Sequence, residues 1–139
     1  MGTGTGIQAP THPPIAAISF ASASFHNALG ELPTAGTNRL TTWVGNSGLL
    51  LVWMSAYLSV SATTIARVGI IVNGADSSWA AVMPNATGSG LLASSTIAAL
   101  LTTSDGIVPN ALNVISIWGV TDSAATTTLN GGTTIVQPL

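Results

Sequence analysis

Residues 49–66 read LLLVWMSAYLSVSATTIA, an uncharged stretch about as long as the shortest membrane-spanning helices. Its parity decides how it folds. Leu50, Val52, Met54, Ala56, Leu58, Val60 and Ala62 share one parity, and Trp53, Ser55, Tyr57, Ser59, Ser61 and Thr63 share the other. Alternation with a period of two is the mark of a half-buried strand. A spanning helix would scatter those hydroxyls around its circumference. A strand gathers them on one side and sends the aliphatic set into a core.

Reading toward the C-terminus, Val68, Ile70 and Val72 again share a parity, and Asn73-Gly74 closes the run with a tight-turn pair. This segment is expected to form a hairpin or a sheet corner with the long strand. Residues 79–83 continue it, until Pro84-Asn85, Gly88 and Gly90 break the pattern. Both a short helix and an irregular strand fit residues 91–102; we read a strand. Ser104-Asp105-Gly106 and Pro109-Asn110 are turns, and residues 113–120 are a strand with Val114, Ser116, Trp118 and Val120 against Ile115 and Ile117. Residues 126–129 and 133–136, joined by Asn130-Gly131-Gly132, read as a terminal hairpin. Toward the N-terminus, Gly45 to Gly48 is a turn and residues 39–44 are a strand. Gly30, Pro33 and Gly36 mark a long loop, and Ile18, Phe20 and Ser22 alternate in a first strand.

About eight short strands without a long amphipathic helix define an all-β fold, an antiparallel β-sandwich or jelly roll. The 139 residues suit one domain. Residues 1–14, MGTGTGIQAPTHPP, have few apolar anchors and are expected to be an extended N-terminal arm, with residues 15–139 forming the single jelly-roll domain. The arm has neither a basic start nor an apolar run, so no secretory signal is expected in it.

Charged residues make up 4% of the chain, against about 25% in ordinary globular proteins. Arg39 and Arg67 face Glu31, Asp76, Asp105 and Asp122, and there is no lysine. Nucleic acid and anionic membrane surfaces both require clustered cations, so neither is an expected partner. With 47% hydrophobic residues the chain folds rather than staying disordered. Cysteine is absent, which removes disulfides, thiolate metal sites and a cysteine nucleophile. His12 lies in the arm, and His26 has no evident catalytic partner. No G-x-S-x-G elbow occurs, and the aspartates sit in turn-like contexts that explain them. No enzyme activity, metal or cofactor is expected.

The order of a long alternating strand (LLLVWMSAYLSV), then ARVGIIVNGADSS, then NVISIWGV and the segment TTTLNGGTTIVQPL resembles the tumour-necrosis-factor-like jelly rolls, and among them the short jelly-roll domains of tailed-phage virions. The resemblance spans residues 39–139 and is one of pattern. It implies a homotrimer on the outside of the virion, most like a head decoration or cement protein bound to the major capsid protein. It also implies that the arm reaches across capsid subunits, with Ile7, Gln8, Pro10, Pro13 and Pro14 as its contacts. The alternative within the same family is a receptor-binding or fibre-tip module, lectin-like, using loops such as residues 30–38 or 85–90.

Assembly is expected on physical grounds as well. Sandwich edges in monomers are guarded by Lys, Pro or bulges, and such guards are scarce here. Trp53 and Tyr57, on the parity opposite the aliphatic set, either line a subunit interface or pack beneath a loop of the same protomer. Arg67 and Trp118 complete the expected interface set, Arg67 as one half of a structural ion pair.

Overall fold

The computed structural model describes residues 15–19, 23–25, 30–31, 39–61, 64–74, 80–82, 86–88, 92–121 and 126–139. They form β1 (Ala16–Ser19), β2 (Ala23–Phe25), β3 (Gly30–Glu31), β4 (Arg39–Val44), β5 (Leu50–Val60), β6 (Thr64–Val72), β7 (Ala81–Val82), β8 (Ala86–Gly88), β9 (Leu92–Leu101), a 3-10 turn (Thr103–Asp105), β10 (Ala111–Thr121) and β11 (Thr127–Pro138). Every pairing is antiparallel. Three pairs of short strands each share a single neighbour: β1 and β2 on β11, β3 and β4 on β10, β7 and β8 on β6. The eleven strands therefore make eight rows in two sheets.

Numbered along the chain, the rows run 1-8-3-6 in sheet 1 (β1/β2, β11, β5, β9) and 2-7-4-5 in sheet 2 (β3/β4, β10, β6, β7/β8). Row 1 lies against 8, 2 against 7, 3 against 6 and 4 against 5, which is the pattern of one long hairpin rolled into a sandwich. That is a jelly roll.

Parity fills the space between the sheets. Leu50, Val52, Met54, Ala56 and Leu58 of β5 meet Ala66, Val68, Ile70 and Val72 of β6, with Ile115, Ile117, Leu129 and Val136, in one buried cluster. Each fully buried aliphatic side chain contributes about 1.5–3 kcal/mol. The alternation from Leu50 is thus a core-lining strand, β5, which ends at Val60, and among the described residues no helix is long and apolar enough to cross a membrane. β5 and β6 belong to different sheets, so their junction is a sheet corner. Residues 91–102 hold a strand, β9.

One expectation is corrected. Residues 126–129 and 133–136 are not a hairpin, because both halves continue as one strand, β11, along the same partner β5. Leu129 pairs with Leu58 and Gly131 with Tyr57, so Asn130 is the extra residue of a β-bulge. Gly131 and Gly132 hold φ of 158° and 152°, near the margin that glycine tolerates best. Reversal at Asn130 would strip half of β5 of its ladder partner. The bulge also falls between Thr133, the last partner of β1, and Leu129, the first of β2, and so coincides with the break in row 1. The arm, residues 1–14, and with it Ile7, Gln8, Pro10, Pro13 and Pro14, lies outside the described residues. So do His12 and His26.

Candidate assembly surfaces

At one end of the sandwich, asparagines tie the connections together. Asn73 and Gly74 both have left-handed φ, 57° and 60°, as the tight-turn reading requires. The Asn73 amide donates to the Gly106 carbonyl (2.9 Å) and to Asn113 Oδ1 (3.0 Å), while its Oδ1 accepts the Val114 N–H (2.9 Å). Asn113 is fully buried. Its Oδ1 also accepts the Val108 N–H (2.8 Å), and its amide donates to the carbonyls of Val108 (2.9 Å) and Ala111 (3.1 Å). Every hydrogen-bonding position of that side chain is used. The 3-10 turn has a capping box: Thr102 Oγ1 accepts the Ser104 N–H (3.2 Å), and Asp105 Oδ2 accepts the Thr102 N–H (2.9 Å). Asp105 is explained as a turn residue. Asn110 donates to Asn46 Oδ1 (3.3 Å), and the Ser47 hydroxyl donates to the Leu139 carbonyl, which secures the last residue.

Sheet 1 is different in kind. None of the residues in β1, β2, β5, β9 or β11 is charged, whereas the strands of sheet 2 carry Glu31, Arg39 and Arg67. Across the outer face of sheet 1, registers align Ala17 with Ile135, Ile135 with Trp53 and Trp53 with Ala98. Leu51 with Leu100 and Gln137 forms the row on one side of it, and Ser19, Thr133, Ser55 and Thr96 the row on the other. Tyr57 is 53% exposed, Leu100 50% and Ile135 36%. The result is an apolar belt with a hydroxyl border, and a shallow depression between Trp53, Ser55, Thr96, Thr133 and Ile135. Tyr57 is thus more than half open, and Trp53 is half-buried.

The expected interface residues do not form one patch. Trp53 and Tyr57 lie on the outer face of sheet 1. Arg67, opposite Val120, and Trp118, opposite Gly69, lie on the outer face of sheet 2. There the Trp118 indole donates to Ser116 Oγ (2.9 Å), and Ser116 donates to the Ile71 carbonyl (3.2 Å). Ile71 and Ser116 are buried although they face away from the core, so this face is locally covered. The loops expected to present ligand contacts are partly strand: Gly30–Glu31 is β3 and Ala86–Gly88 is β8.

Three features were missed in the sequence. Ile135 was hidden by the hairpin reading, because the bulge switches parity. Trp43, 49% exposed and paired with the exposed Leu112, shares the parity of Arg39, a signal that was available. Asn113 shares the parity of Ile115 and Ile117, which marks it as an inward polar residue. Among the described residues, no group of three or more His, Cys, Asp or Glu is placed to hold a metal.

The rolled topology defines the class: an eight-row antiparallel jelly roll. No protein-family model and no curated protein sequence matches the chain. Its fold is similar to a solved structure of infectious bursal disease virus, Gx strain, with a TM-score of 0.52 and 12% identity, covering 99% of this chain and 37% of that one. The VP2 subviral particle of infectious bursal disease virus is similar to the same degree, with a TM-score of 0.52, 12% identity, and coverage of 99% and 36%. The chain thus spans little more than a third of the length of those proteins, and at this identity the likeness is one of fold.

Proposed function

We propose that this protein is a structural component of a virion rather than an enzyme: a decoration or cement protein that assembles as a homotrimer on the outer surface of a phage head. The observation that carries the reading is the charge-free sheet 1, whose outer face exposes Tyr57, Leu100 and Ile135 around Trp53. Exposed apolar patches of this kind mark interaction sites. Likeness in fold to a virus particle protein supports the virion role. The decoration role and the phage host draw on the sequence resemblance, in which residues 1–14 grip the major capsid protein. A receptor-binding fibre tip is a second reading, favoured by Trp43, Val108 and Leu112, which are exposed near the asparagine-braced end.

The test has two arms. The purified chain should sediment as a trimer or as a pair of trimers, and Tyr57→Glu or Ile135→Glu should abolish the three-fold association while keeping the melting temperature of the dilute wild-type chain; a wild-type monomer at high concentration rejects the reading. On purified particles, hundreds of copies support decoration and a handful support a tip. Deleting residues 2–14 should abolish head binding while leaving the trimer intact.

A further inference from the structure

We infer that β9 is a pairing edge, at which a second copy of this chain adds its own β9 antiparallel and joins two sheets 1 into one continuous sheet. The jelly roll has four sheet edges. Three of them are made, among the described residues, by pairs of short strands: β1/β2, β3/β4 and β7/β8 hold two to six residues per strand, and β3 and β4 bear Glu31 and Arg39. Broken and charged edges are the usual protection against pairing with another chain. The fourth edge, β9, has none of it.

β9 runs ten residues, LASSTIAALL, without Pro, Gly or a charge, and pairs with β5 at ten consecutive positions with no bulge. It ends the strand order of sheet 1, and no described strand lies on its other side. One row of N–H and C=O groups, along about 34 Å, therefore has no strand partner among the described residues. The side chains match this open edge. Thr96, Ala98 and Leu100 are exposed on the outer face, and Ile97 and Ala99, which face inward against the core, are only partly covered. A neighbouring strand would cover both.

A second copy of β9 is the occupant that fits. A two-fold axis normal to the sheet keeps outward side chains outward, so facing residues share a parity. Centred on Ile97, it sets Ile97 against itself, Thr96 against Ala98 and Ala93 against Leu101, and about eight to ten main-chain hydrogen bonds form. No charge meets a like charge, because the strand has none. The contact belongs to the chain itself and holds whether or not the virion reading does.

The chain has no cysteine, so single-cysteine cross-linking reads the contact directly. Thr96→Cys, Ile97→Cys and Ala98→Cys, oxidised in the otherwise wild-type full chain, should give a covalent dimer at the self-facing position. Thr103→Cys, exposed on the 3-10 turn, is the control. Thr96→Lys and Ala98→Lys, both at exposed sites, should keep the melting temperature of the dilute wild-type chain, halve the assembly mass at high concentration and raise the dissociation constant of the two-fold contact at least tenfold. Tyr57→Glu should leave the cross-link unchanged, which separates this edge from the face. Cross-linking no greater than the Thr103→Cys control at all three positions, or an assembly mass indifferent to both lysines, overturns the inference.

Discussion

The asparagine-braced end and the outer face of sheet 1 handle the same shortage of charge in opposite ways. At the end, the buried side chain of Asn113 meets partners from within the chain, and Asn73 ties β6 to the β9–β10 connection. On the face, apolar side chains are exposed, with half or more of Tyr57 and of Leu100 left open. The first surface is complete in one protomer; under the proposed function the second is covered by assembly. Variants at the end should therefore change stability and leave association alone, and variants on the face should do the reverse.

The largest effect is expected at Asn113. Asn113→Ala leaves the Val108 N–H and one of the two Asn73 amide hydrogens without an acceptor, and takes the Asn113 donors from the Val108 and Ala111 carbonyls, around a side chain that is itself fully buried. The expected loss is about 2–4 kcal/mol in urea unfolding, with no change in sedimentation. A loss below about 1 kcal/mol would break the contrast, because the end would then be no better braced than an ordinary loop. Gly48→Ala comes next. Gly48 has φ of 65°, and a Cβ there would lie 3.1 Å from Pro109 Cγ and 3.2 Å from Thr103 Cγ2. Left-handed strain and this contact together should cost about 1–2 kcal/mol, read as a lower melting temperature.

How much of this was legible depended on whether a feature is local. The parity of residues 49–66 named the five side chains of β5 that are buried from Leu50 to Leu58, because alternation within one strand needs no knowledge of its neighbours. The Asn73-Gly74 turn and the capped turn at Asp105 were legible for the same reason. Asn130-Gly131-Gly132 was misread, since the same residues that favour a two-residue hairpin turn also permit a bulge, and only the distant β5 decides between them. The partition into two sheets was equally hidden. It separates Trp53 and Tyr57 from Arg67 and Trp118, and it gathers every charge of the strands into sheet 2, although the scarcity of charge was plain from composition.

A third variant tests the interior between these two surfaces. Thr127 and Thr134 of β11 are buried, and their hydroxyls have no hydrogen-bond partner among the described residues. Thr134→Val replaces the hydroxyl with a methyl of similar size. It should raise unfolding free energy by up to about 1 kcal/mol, since an unpartnered buried hydroxyl is a cost that the methyl does not carry. A destabilisation would mean that the hydroxyl is satisfied after all.

The smallest change in intrinsic stability is expected at Tyr57, and it bears most directly on the face. Tyr57 is more than half exposed, so Tyr57→Ser in a dilute, dissociated sample should stay within about 0.5 kcal/mol of wild type. At high concentration the two should part, because association stabilises the folded chain by mass action and makes the melting temperature rise with protein concentration. If Tyr57 is buried between protomers, the wild-type melting temperature climbs with concentration and that of Tyr57→Ser climbs less. Parallel slopes would mean that the aromatic stripe faces water in the assembly too, and the unfinished surface would then have to be sought at the β9 edge alone.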